Sequence, residues 1–318
     1  MLATLIRKLF ARITTDPEQP LLSKNVLEQL QQAGERYEAG DIAAARTLYE
    51  QVLRSDRDHP EAQYYLGVIL GRAGDYSAAA ELLGKVIEKQ PQFADALNSL
   101  GNVMRLQGRP QDAADYYRRA LAINADLAPV WTNLALCLRD VDHCTEAMEV
   151  LQRALAISPK YSDALVNLAM LWDDLGDVEQ AHTLLLRVLD LDPNIAEAHV
   201  HLAQILLRRG DYAAGWREYD WRLRMDEWEL LPKYSCPVWQ GQEIVGKNLL
   251  VTAEQGLGDQ IMFASCLNET LRRVEHCIVE SHPPLTALFA RSFPEAAISA
   301  VRVVNPVVGD DAINIPDL

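Results

Sequence analysis

The stretch ADALNSLGNVMRLQGRPQDAADYYRRALAINADL, residues 94–127, is one copy of a motif that returns every 34 positions without an insertion. A leucine followed by a small residue marks each return, at Leu66-Gly67, Leu100-Gly101, Leu134-Ala135, Leu168-Ala169 and Leu202-Ala203. Glycine shares the period, at Gly40, Gly74, Gly108, Gly176 and Gly210, with Asp142 in the one remaining place. A period this strict indicates a repeat array, for which binding is a commoner role than catalysis.

Each cycle predicts a helix, a glycine turn, a second helix and a proline-punctuated turn. Glycine supplies the positive φ that ends a helix, and proline cannot continue a helix interior. The small residue after each leucine, and an alanine that recurs from the second helix, let the helices approach closely. Those alanines are Ala45, Ala79, Ala113, Ala147 and Ala181. One helix pair buries too little apolar surface to fold alone, so stacked pairs build one continuous core.

These in-phase positions resemble the tetratricopeptide repeat family. The resemblance covers residues 26–229, or six cycles, and implies a mainly α fold: a right-handed α-solenoid of six helix pairs. The first cycle departs from the pattern with Gln32-Ala33, and the sixth has Gly215 where alanine is expected. End repeats are expected to be atypical because one of their faces has no neighbour.

Composition narrows the possible partners. The 318 residues carry a net charge of −15, which argues against nucleic acid, and no apolar run is long enough to span a bilayer. The odd number of cysteines and their spacing suit neither a disulfide framework nor a zinc site, so we predict a reducing, cytoplasmic compartment with no metal and no cofactor. His199 and His201 stand two apart on a helix and are expected to point to different faces.

Residues 1–25 are predicted to form an amphipathic helix and a linker. Its apolar side chains fall on one helical face, with Arg7, Lys8 and Arg12 elsewhere. The segment could lie on an anionic membrane or pack on the array or a partner. Its shortness and its three basic residues favour packing over membrane contact.

The resemblance also implies a concave groove, lined by the second, fifth, sixth, ninth and twelfth residues of each cycle. The candidate groove residues are Tyr64, Tyr65, Asn98, Asn102, Asn133, Asn167 and His201. Asparagine offers both a donor and an acceptor, so it can hold the backbone of an extended peptide without reading its sequence. A similar asparagine ladder is found in the arrays of O-linked N-acetylglucosamine transferases, and Asn133 and Asn167 match its rungs. The competing interpretation is that these are solvated helix-surface residues.

The second position of the cycles is mostly acidic: Glu61, Asp95, Asp163 and Glu197, with Pro129 between them. A continuous acidic stripe would favour a basic or neutral peptide. Carboxylates at helix starts also suit the helix dipole, and this second interpretation is the stronger one.

The period is lost after residue 229, and residues 230–318 predict a different architecture. The apolar run Leu249-Leu250-Val251 and the segment Cys277-Ile278-Val279 read as strands with a helix between them, and 301–304 as a third strand. A helix is predicted to open at Pro283. Strand, glycine loop, helix and strand form a βαβ unit, which predicts a parallel sheet.

The segment Glu254-Gln255-Gly256-Leu257-Gly258-Asp259, with Pro237-x-Trp239-x-Gly241 before it, resembles bacterial tetratricopeptide proteins that carry a glycosyltransferase domain. That domain is similar to heptosyltransferases and implies a Rossmann-like fold in which Gln255, Gly256 and Gly258 form a ligand loop. It also implies Asp259 as a candidate catalytic base. The competing interpretation is that Asp259 caps the following helix.

In that family a second domain holds the nucleotide-sugar donor, and it would lie beyond Leu318. We therefore expect the domain at 230–318 to be partial and the chain not to be catalytic alone. Two hypotheses follow. The first is a scaffold that binds a peptide or protein partner in its groove. The second is a glycosyltransferase acting on a protein acceptor, which would bind a nucleotide-sugar only with a donor domain supplied.

Overall fold

The computed structural model describes residues 24–225, 237–239, 246–252, 256–300 and 313–316. The chain divides into two compact units, Met1–Arg222 and Leu223–Leu318. The predicted N-terminal helix, the residue Gln255 and the predicted strand at 301–304 lie outside the described residues. Among the described helices, none combines the length and the apolarity needed to cross a membrane.

Six helix–turn–helix pairs make up the described part of the first unit. Their helices are α1 Lys24–Glu38, α2 Ile42–Ser55, α3 Pro60–Arg72, α4 Tyr76–Lys89, α5 Ala94–Leu106, α6 Pro110–Ile123, α7 Ala128–Asp140, α8 Cys144–Ile157, α9 Ser162–Asp174, α10 Val178–Leu191, α11 Ala196–Arg208 and α12 Tyr212–Tyr219. A 3₁₀ helix, Asp220–Arg224, follows. The helix pattern predicted from the 34-residue period is confirmed, and each helix packs on its neighbours in the chain.

The turn inside each pair explains why glycine keeps the period. Gly74 has a φ of +85°, and the residue after it closes the preceding helix through a 3.0 Å bond from the Asp75 amide to the Leu70 carbonyl. The Asp75 side chain then accepts the Ala78 amide at 3.2 Å and so opens the next helix. Asp142, which stands in place of glycine, adopts the same region with a φ of 60°. The predicted positive-φ turn is therefore confirmed, including at the one position that lacks glycine.

Close helix contacts explain the small residues. A Cβ on Gly101 would lie 2.6 Å from Cε1 of Tyr117, and a Cβ on Gly67 would lie 2.9 Å from Cγ of Leu83. Tyr117 and Leu83 are fully buried. The recurring alanines Ala45, Ala79, Ala113, Ala147 and Ala181 are fully buried as well. The predicted close approach of the helices is confirmed, because no larger side chain fits where α5 meets α6.

The second unit contains a parallel sheet with the order β3-β2-β1-β4. Its elements are β1 Asn248–Thr252, α13 Leu257–Phe263, a 3₁₀ turn Ala264–Cys266, α14 Leu267–Leu271, β2 His276–Glu280, α15 Pro283–Ser292, β3 Ala297–Ser299 and β4 Ile313–Pro316. Leu250 pairs with Ile278 on one side and Asn314 on the other. The two predicted strands, their parallel pairing and the helix at Pro283 are confirmed.

The core of this unit lies where β1 and β2 meet the helices. Leu249, Leu250 and Val251 are all buried, as expected of a strand covered on both faces. Cys277 and Val279 from β2 pack with Phe289 from α15. Neither β3 nor β4 was predicted; β3 has only three residues and alternates weakly. The sheet is compatible with the Rossmann-like fold that was predicted and does not establish it.

Candidate functional site

The first helices of successive pairs share one surface. Contacts join α3 to α5, α5 to α7, α7 to α9 and α9 to α11 directly. Side chains at the same repeat position meet across these contacts, as when Asn133 reaches Asn98, or Arg139 lies 3.6 Å from Asp174. We call the surface made by α3, α5, α7, α9 and α11 the first-helix face. It is the face on which the predicted groove residues were expected.

Three asparagines on this face form one hydrogen-bonded cluster. Asn133 Nδ2 on α7 donates to Asn98 Oδ1 and to Asn102 Oδ1 on α5, each at 3.3 Å. The Tyr117 hydroxyl on α6 donates to the same Asn102 oxygen at 2.7 Å. We call Asn98, Asn102 and Asn133 the amide cluster. The network fixes the three side chains before any ligand binds.

The amide cluster keeps hydrogen-bonding capacity for a ligand. Within the described residues, Nδ2 of Asn98, Nδ2 of Asn102 and Oδ1 of Asn133 have no protein partner. All three side chains are half-buried. Two donors and one acceptor therefore stand together on the surface, which is the complement of a peptide unit's carbonyl and amide.

Asn167 and His201 lie on the first-helix face but outside the amide cluster. Asn167 Nδ2 donates 2.8 Å to the Asp163 carbonyl of its own helix. His201 Nδ1 lies 3.4 Å from Gln204 Oε1. Between α9 and α11 the face opens into a cleft of about 150 Å³, lined by Ala169, Met170, Asp173, Asp174, Leu185, His201, Gln204 and Ile205. The face thus continues past the cluster as a surface of mixed polarity.

Tyr64 and Tyr65 are placed differently from the prediction. Their exposed fractions are 7% and 3%. Tyr65 stacks on Tyr49 with ring centroids 5.3 Å apart, and Tyr64 lies 5.0 Å from the ring of Phe93. Burial raises the pKa of the Tyr64 phenol. Both rings belong mainly to the core and offer a ligand on the first-helix face little exposed surface.

The acidic row at the second repeat position is not a continuous stripe. Glu61 is buried, whereas Asp163 and Glu197 are exposed. Asp95 is half-buried, and burial raises the pKa of its carboxyl. These different environments agree with carboxylates that sit at helix starts for local reasons.

The two histidines expected to point apart do so. His199 is buried and stacks on Trp221 at 3.8 Å, with Nδ1 lying 2.5 Å from Glu218 Oε2. Its Nε2 lies 2.9 Å from the Pro193 carbonyl. His201 lies on the first-helix face instead. The prediction that they point to different faces is confirmed, and His199 holds α11 to the last helix of the array.

In the second unit, the loop after β1 leads into α13. Gly256 is the N-cap of this helix, and Oδ2 of Asp259 lies 3.6 Å from the place where a Gly256 Cβ would stand. The Asp259 carboxylate belongs to the first turn of α13, where a negative charge suits the helix dipole, and it makes no capping hydrogen bond within the described residues. It is also half-buried rather than enclosed. A base role for Asp259, and ligand contacts by Gly256 and Gly258, stay predictions.

Around this loop, the carboxyl ends of the strands carry buried polar groups. Gln260 is 9% exposed, and its Oε1 accepts the His282 amide at 3.1 Å, which ties α13 to the loop after β2. Thr252, Glu280 and Ser281 are buried at the same ends of β1 and β2. In open parallel sheets this edge is where ligands bind. Within the described residues, no group of three or more His, Cys, Asp or Glu side chains is arranged to hold a metal.

A stack of helix–turn–helix pairs with a 34-residue period defines an α-solenoid. Profiles described as tetratricopeptide repeat match residues 30–82 and 69–128, 144–199, and 196–215, which together exceed half of the chain. The chain therefore belongs to the tetratricopeptide repeat proteins.

Among curated proteins, Protein FlbA of Caulobacter vibrioides is 34% identical over 113 residues, covering 31% of this chain. The chain spans only 17% of the length of that protein.

Solved structures of tetratricopeptide proteins share the fold. PilW, described as a type IV pilus biogenesis factor, has 20% identity and a TM-score of 0.57, with 65% of this chain and 98% of that chain covered. A tetratricopeptide repeat protein of Parabacteroides merdae has 14% identity and a TM-score of 0.55, covering 64% of this chain and 80% of its own. At these identities the likeness concerns the fold alone.

Proposed function

We propose that the array is a scaffold that binds an extended segment of a protein partner on its first-helix face. The observation that carries this proposal is the amide cluster, in which Asn133 bridges two successive first helices while ligand-facing groups stay unpaired. The partner's backbone carbonyl would accept from Asn98 or Asn102, and a backbone amide would donate to Asn133.

Preorganisation supports this proposal. A side chain that must be ordered on binding loses roughly 0.5–1.5 kcal/mol. Here Tyr117 and the asparagines hold one another in place, so much of that cost is met during folding. Each new hydrogen bond contributes only about 1 kcal/mol net, so several peptide units along the face must act together. A repeat array supplies that length.

The test is selection of random linear peptides by display against the full chain, followed by affinity measurement on two variants. Asn98→Ala/Asn133→Ala removes the amide cluster, and Gln111→Ala/Gln152→Ala removes two exposed amides from the second helices α6 and α8. We expect the first variant to lose about tenfold or more in affinity and the second to bind normally. Equal binding by both variants, or failure to select any peptide, would overturn the groove assignment.

A second candidate function is sugar transfer from a nucleotide-sugar to a protein acceptor. It is favoured by the parallel βαβ arrangement of β1, α13 and β2, with Asp259 in the first turn of α13. In this proposal the array presents the acceptor and the second unit forms the acceptor side of the active site. In this proposal a further domain holds the nucleotide-sugar donor.

This second proposal predicts that the purified 318-residue chain neither transfers sugar nor hydrolyses nucleotide-sugars. The measurement is a nucleotide-sugar panel, with Asp259→Asn as the matched variant. Turnover that disappears in Asp259→Asn would establish a complete enzyme and would contradict the need for a separate donor domain.

We also propose that the chain works in a reducing compartment such as the cytoplasm. Four cysteines are free thiols within the described residues, and Cys137 and Cys277 are buried. Quantitative thiol labelling of protein taken directly from its native cells tests this, since recovery in an oxidised form would contradict it.

A further inference from the structure

A row of arginines runs along the second helices of three successive pairs. Arg119, Arg153 and Arg187 stand 34 residues apart, on α6, α8 and α10, and all three are exposed. No ion pair joins any of them to a carboxylate among the residues that the structure describes. We call them the arginine row. In a chain with a net charge of −15, this row is a local excess of unmatched positive charge.

Each guanidinium of the arginine row is held by a neutral group instead of an acid. The contacts are Arg119 with the Tyr116 ring at 5.3 Å from its centroid, Arg153 with the Trp131 ring at 5.2 Å, and Arg187 with the Pro159 carbonyl at 3.1 Å. Such a contact restrains the side chain and leaves its charge unmatched. A ligand carboxylate that pairs with it therefore orders less of the side chain on binding.

Each of the three helices ends in an aliphatic residue, one turn after its arginine. Ile123, Ile157 and Leu191 follow the arginines at i+4, which places them on the same helix face. Ile157 is 40% exposed and Leu191 is 38% exposed, whereas Ile123 is half-buried. We call these residues the aliphatic row. The two rows lie about 6 Å apart, since four residues of an α-helix rise by that distance.

The preceding pair interrupts both rows. Lys85 on α4 stands at the arginine position, but it forms an i,i+4 ion pair with Glu81 at 2.5 Å. Lys89 stands at the aliphatic position and pairs with Asp58 at 3.1 Å. The combination of an unmatched cation and an exposed aliphatic side chain is thus absent from α4, and Lys85 supplies a matched control.

An amphipathic helix is the ligand that matches both rows. A carboxylate is the best partner for a guanidinium because two parallel hydrogen bonds can form, and exposed aliphatic side chains gain by burial against apolar ones. Successive first helices of the array are in contact, so one repeat advances by roughly 10 Å, the distance between packed helices. Seven residues of an α-helix rise by about the same distance. A helix lying along the rows would bring an acidic and an apolar residue to each pair at every seventh position.

A continuous anionic surface fits the rows less well. Glu149 lies four residues before Arg153 and Asp190 lies three residues after Arg187, and both carboxylates are exposed. A bilayer or a nucleic acid would bring negative charge to these two acids as well, because its charge is not confined to three positions. The carboxylates of a protein helix can be spaced to meet the arginines alone.

We propose that α6, α8 and α10 dock an amphipathic helix of a partner protein, with its acidic side chains on the arginine row and its apolar side chains on the aliphatic row. This surface belongs to the second helices and does not include the amide cluster. The array therefore has two docking surfaces, one for an extended segment and one for a helix.

The test begins with a displayed library of single α-helices of about 21 residues, three intervals of seven, selected against the full chain. We expect the selected helices to carry Asp or Glu at intervals of seven residues, with an aliphatic stripe beside the acids. Failure to select any helix, or selected helices that lack the acids, would overturn the proposal.

The affinity of a selected helix is then measured by fluorescence anisotropy on the wild type and four variants. These are Arg153→Gln/Arg187→Gln, Ile157→Gln/Leu191→Gln, the control Lys85→Gln and the groove variant Asn98→Ala/Asn133→Ala. We expect the first two variants to bind about tenfold more weakly or worse and the control to bind as the wild type does. Added salt should weaken binding to the wild type more than binding to the arginine variant, because exposed ion pairs are screened.

The remaining outcomes identify the ligand and the surface. Helices that bind Arg153→Gln/Arg187→Gln normally would overturn the proposal. Helices that lose affinity only on Asn98→Ala/Asn133→Ala would do so too, and would leave peptide binding on the first-helix face intact. Replacing each Glu of the helix by Gln should not add to the loss from the arginine variant, and this measurement holds even where another variant fails to fold.

Vesicles of phosphatidylcholine, with and without phosphatidylglycerol, distinguish a membrane from a protein partner. We expect the chain to sediment with neither. Sedimentation with the phosphatidylglycerol vesicles that Arg153→Gln/Arg187→Gln abolishes would assign the rows to a membrane and overturn the helix proposal.

Discussion

The substitution Gly101→Ala tests whether the close contact between α5 and α6 excludes a larger side chain at position 101. The new Cβ would stand 2.6 Å from Cε1, 2.9 Å from Cδ1 and 3.0 Å from Cζ of Tyr117. Carbon atoms normally rest about 3.5–4.0 Å apart, so the ring must move by roughly 1 Å. Tyr117 is fully buried, so that movement strains its neighbours.

The expected magnitude combines three effects. Overpacking a close-packed core costs about 1–3 kcal/mol. Loss of the Tyr117–Asn102 hydrogen bond, 2.7 Å long in the structure, costs about 1 kcal/mol. Replacing glycine in a helix interior returns about 1 kcal/mol. Gly101→Ala should therefore lower the free energy of unfolding by about 1–3 kcal/mol.

The assay is urea unfolding followed by circular dichroism, with midpoints compared at unchanged slope. Gly84→Ala is the matched control, because its Cβ would meet nothing within 4 Å and should stabilise α4 by about 0.5–1 kcal/mol. On a Tyr117→Leu background, Gly101→Ala should destabilise less, since Ala135 and Ala169 occur with Leu151 and Leu185 in later repeats. A Gly101→Ala protein as stable as Gly84→Ala would refute the packing argument.

Three further outcomes follow from the same structure. Asp142→Gly should raise the free energy of unfolding by up to about 1 kcal/mol, because glycine holds φ near 60° without strain; a lower urea midpoint would contradict this. Burial raises the pKa of Cys137 to about 11 and of Cys277 to about 12, so stability should be full below about pH 8.5 and fall as pH rises towards those values. Cys137→Ala/Cys277→Ala should flatten that fall between about pH 8.5 and pH 10, before the tyrosines titrate; an unchanged slope in thermal melts would contradict it. In the native protein, a thiol reagent should label the exposed Cys266 faster than the buried Cys277, and equal rates would refute the burial assignment.

The sequence predicts the array well because its signal is local and repeated. Glycine turns, capping aspartates and small residues at helix contacts each act within one or two helices, so a period shows them directly. Asp142 illustrates the point: it stands at a glycine position of the period, and it adopts the positive φ expected of that turn.

The ligand-facing residues were harder to predict because their environment comes from several repeats. Tyr64 and Tyr65 occupy groove positions, yet they are buried in the core against the aromatic rings of Phe93 and Tyr49.

The second unit also contains strands that the sequence predicts and strands that it does not. β1 and β2 were predictable because each is an apolar run next to a recognisable helix or loop. The short β3 and the distant β4 join the sheet through pairing partners far along the chain, which period and composition do not reveal.

The central claim is that the amide cluster holds the backbone of a bound peptide, and a backbone N-methyl scan tests it most directly. A selected peptide is resynthesised with one N-methyl group at a time, and each removes one backbone donor. We predict that one position loses about tenfold or more in affinity on the wild type and loses nothing further on Asn133→Ala, because Oδ1 of Asn133 is the acceptor. Affinity that is indifferent to N-methylation at every position would contradict the claim.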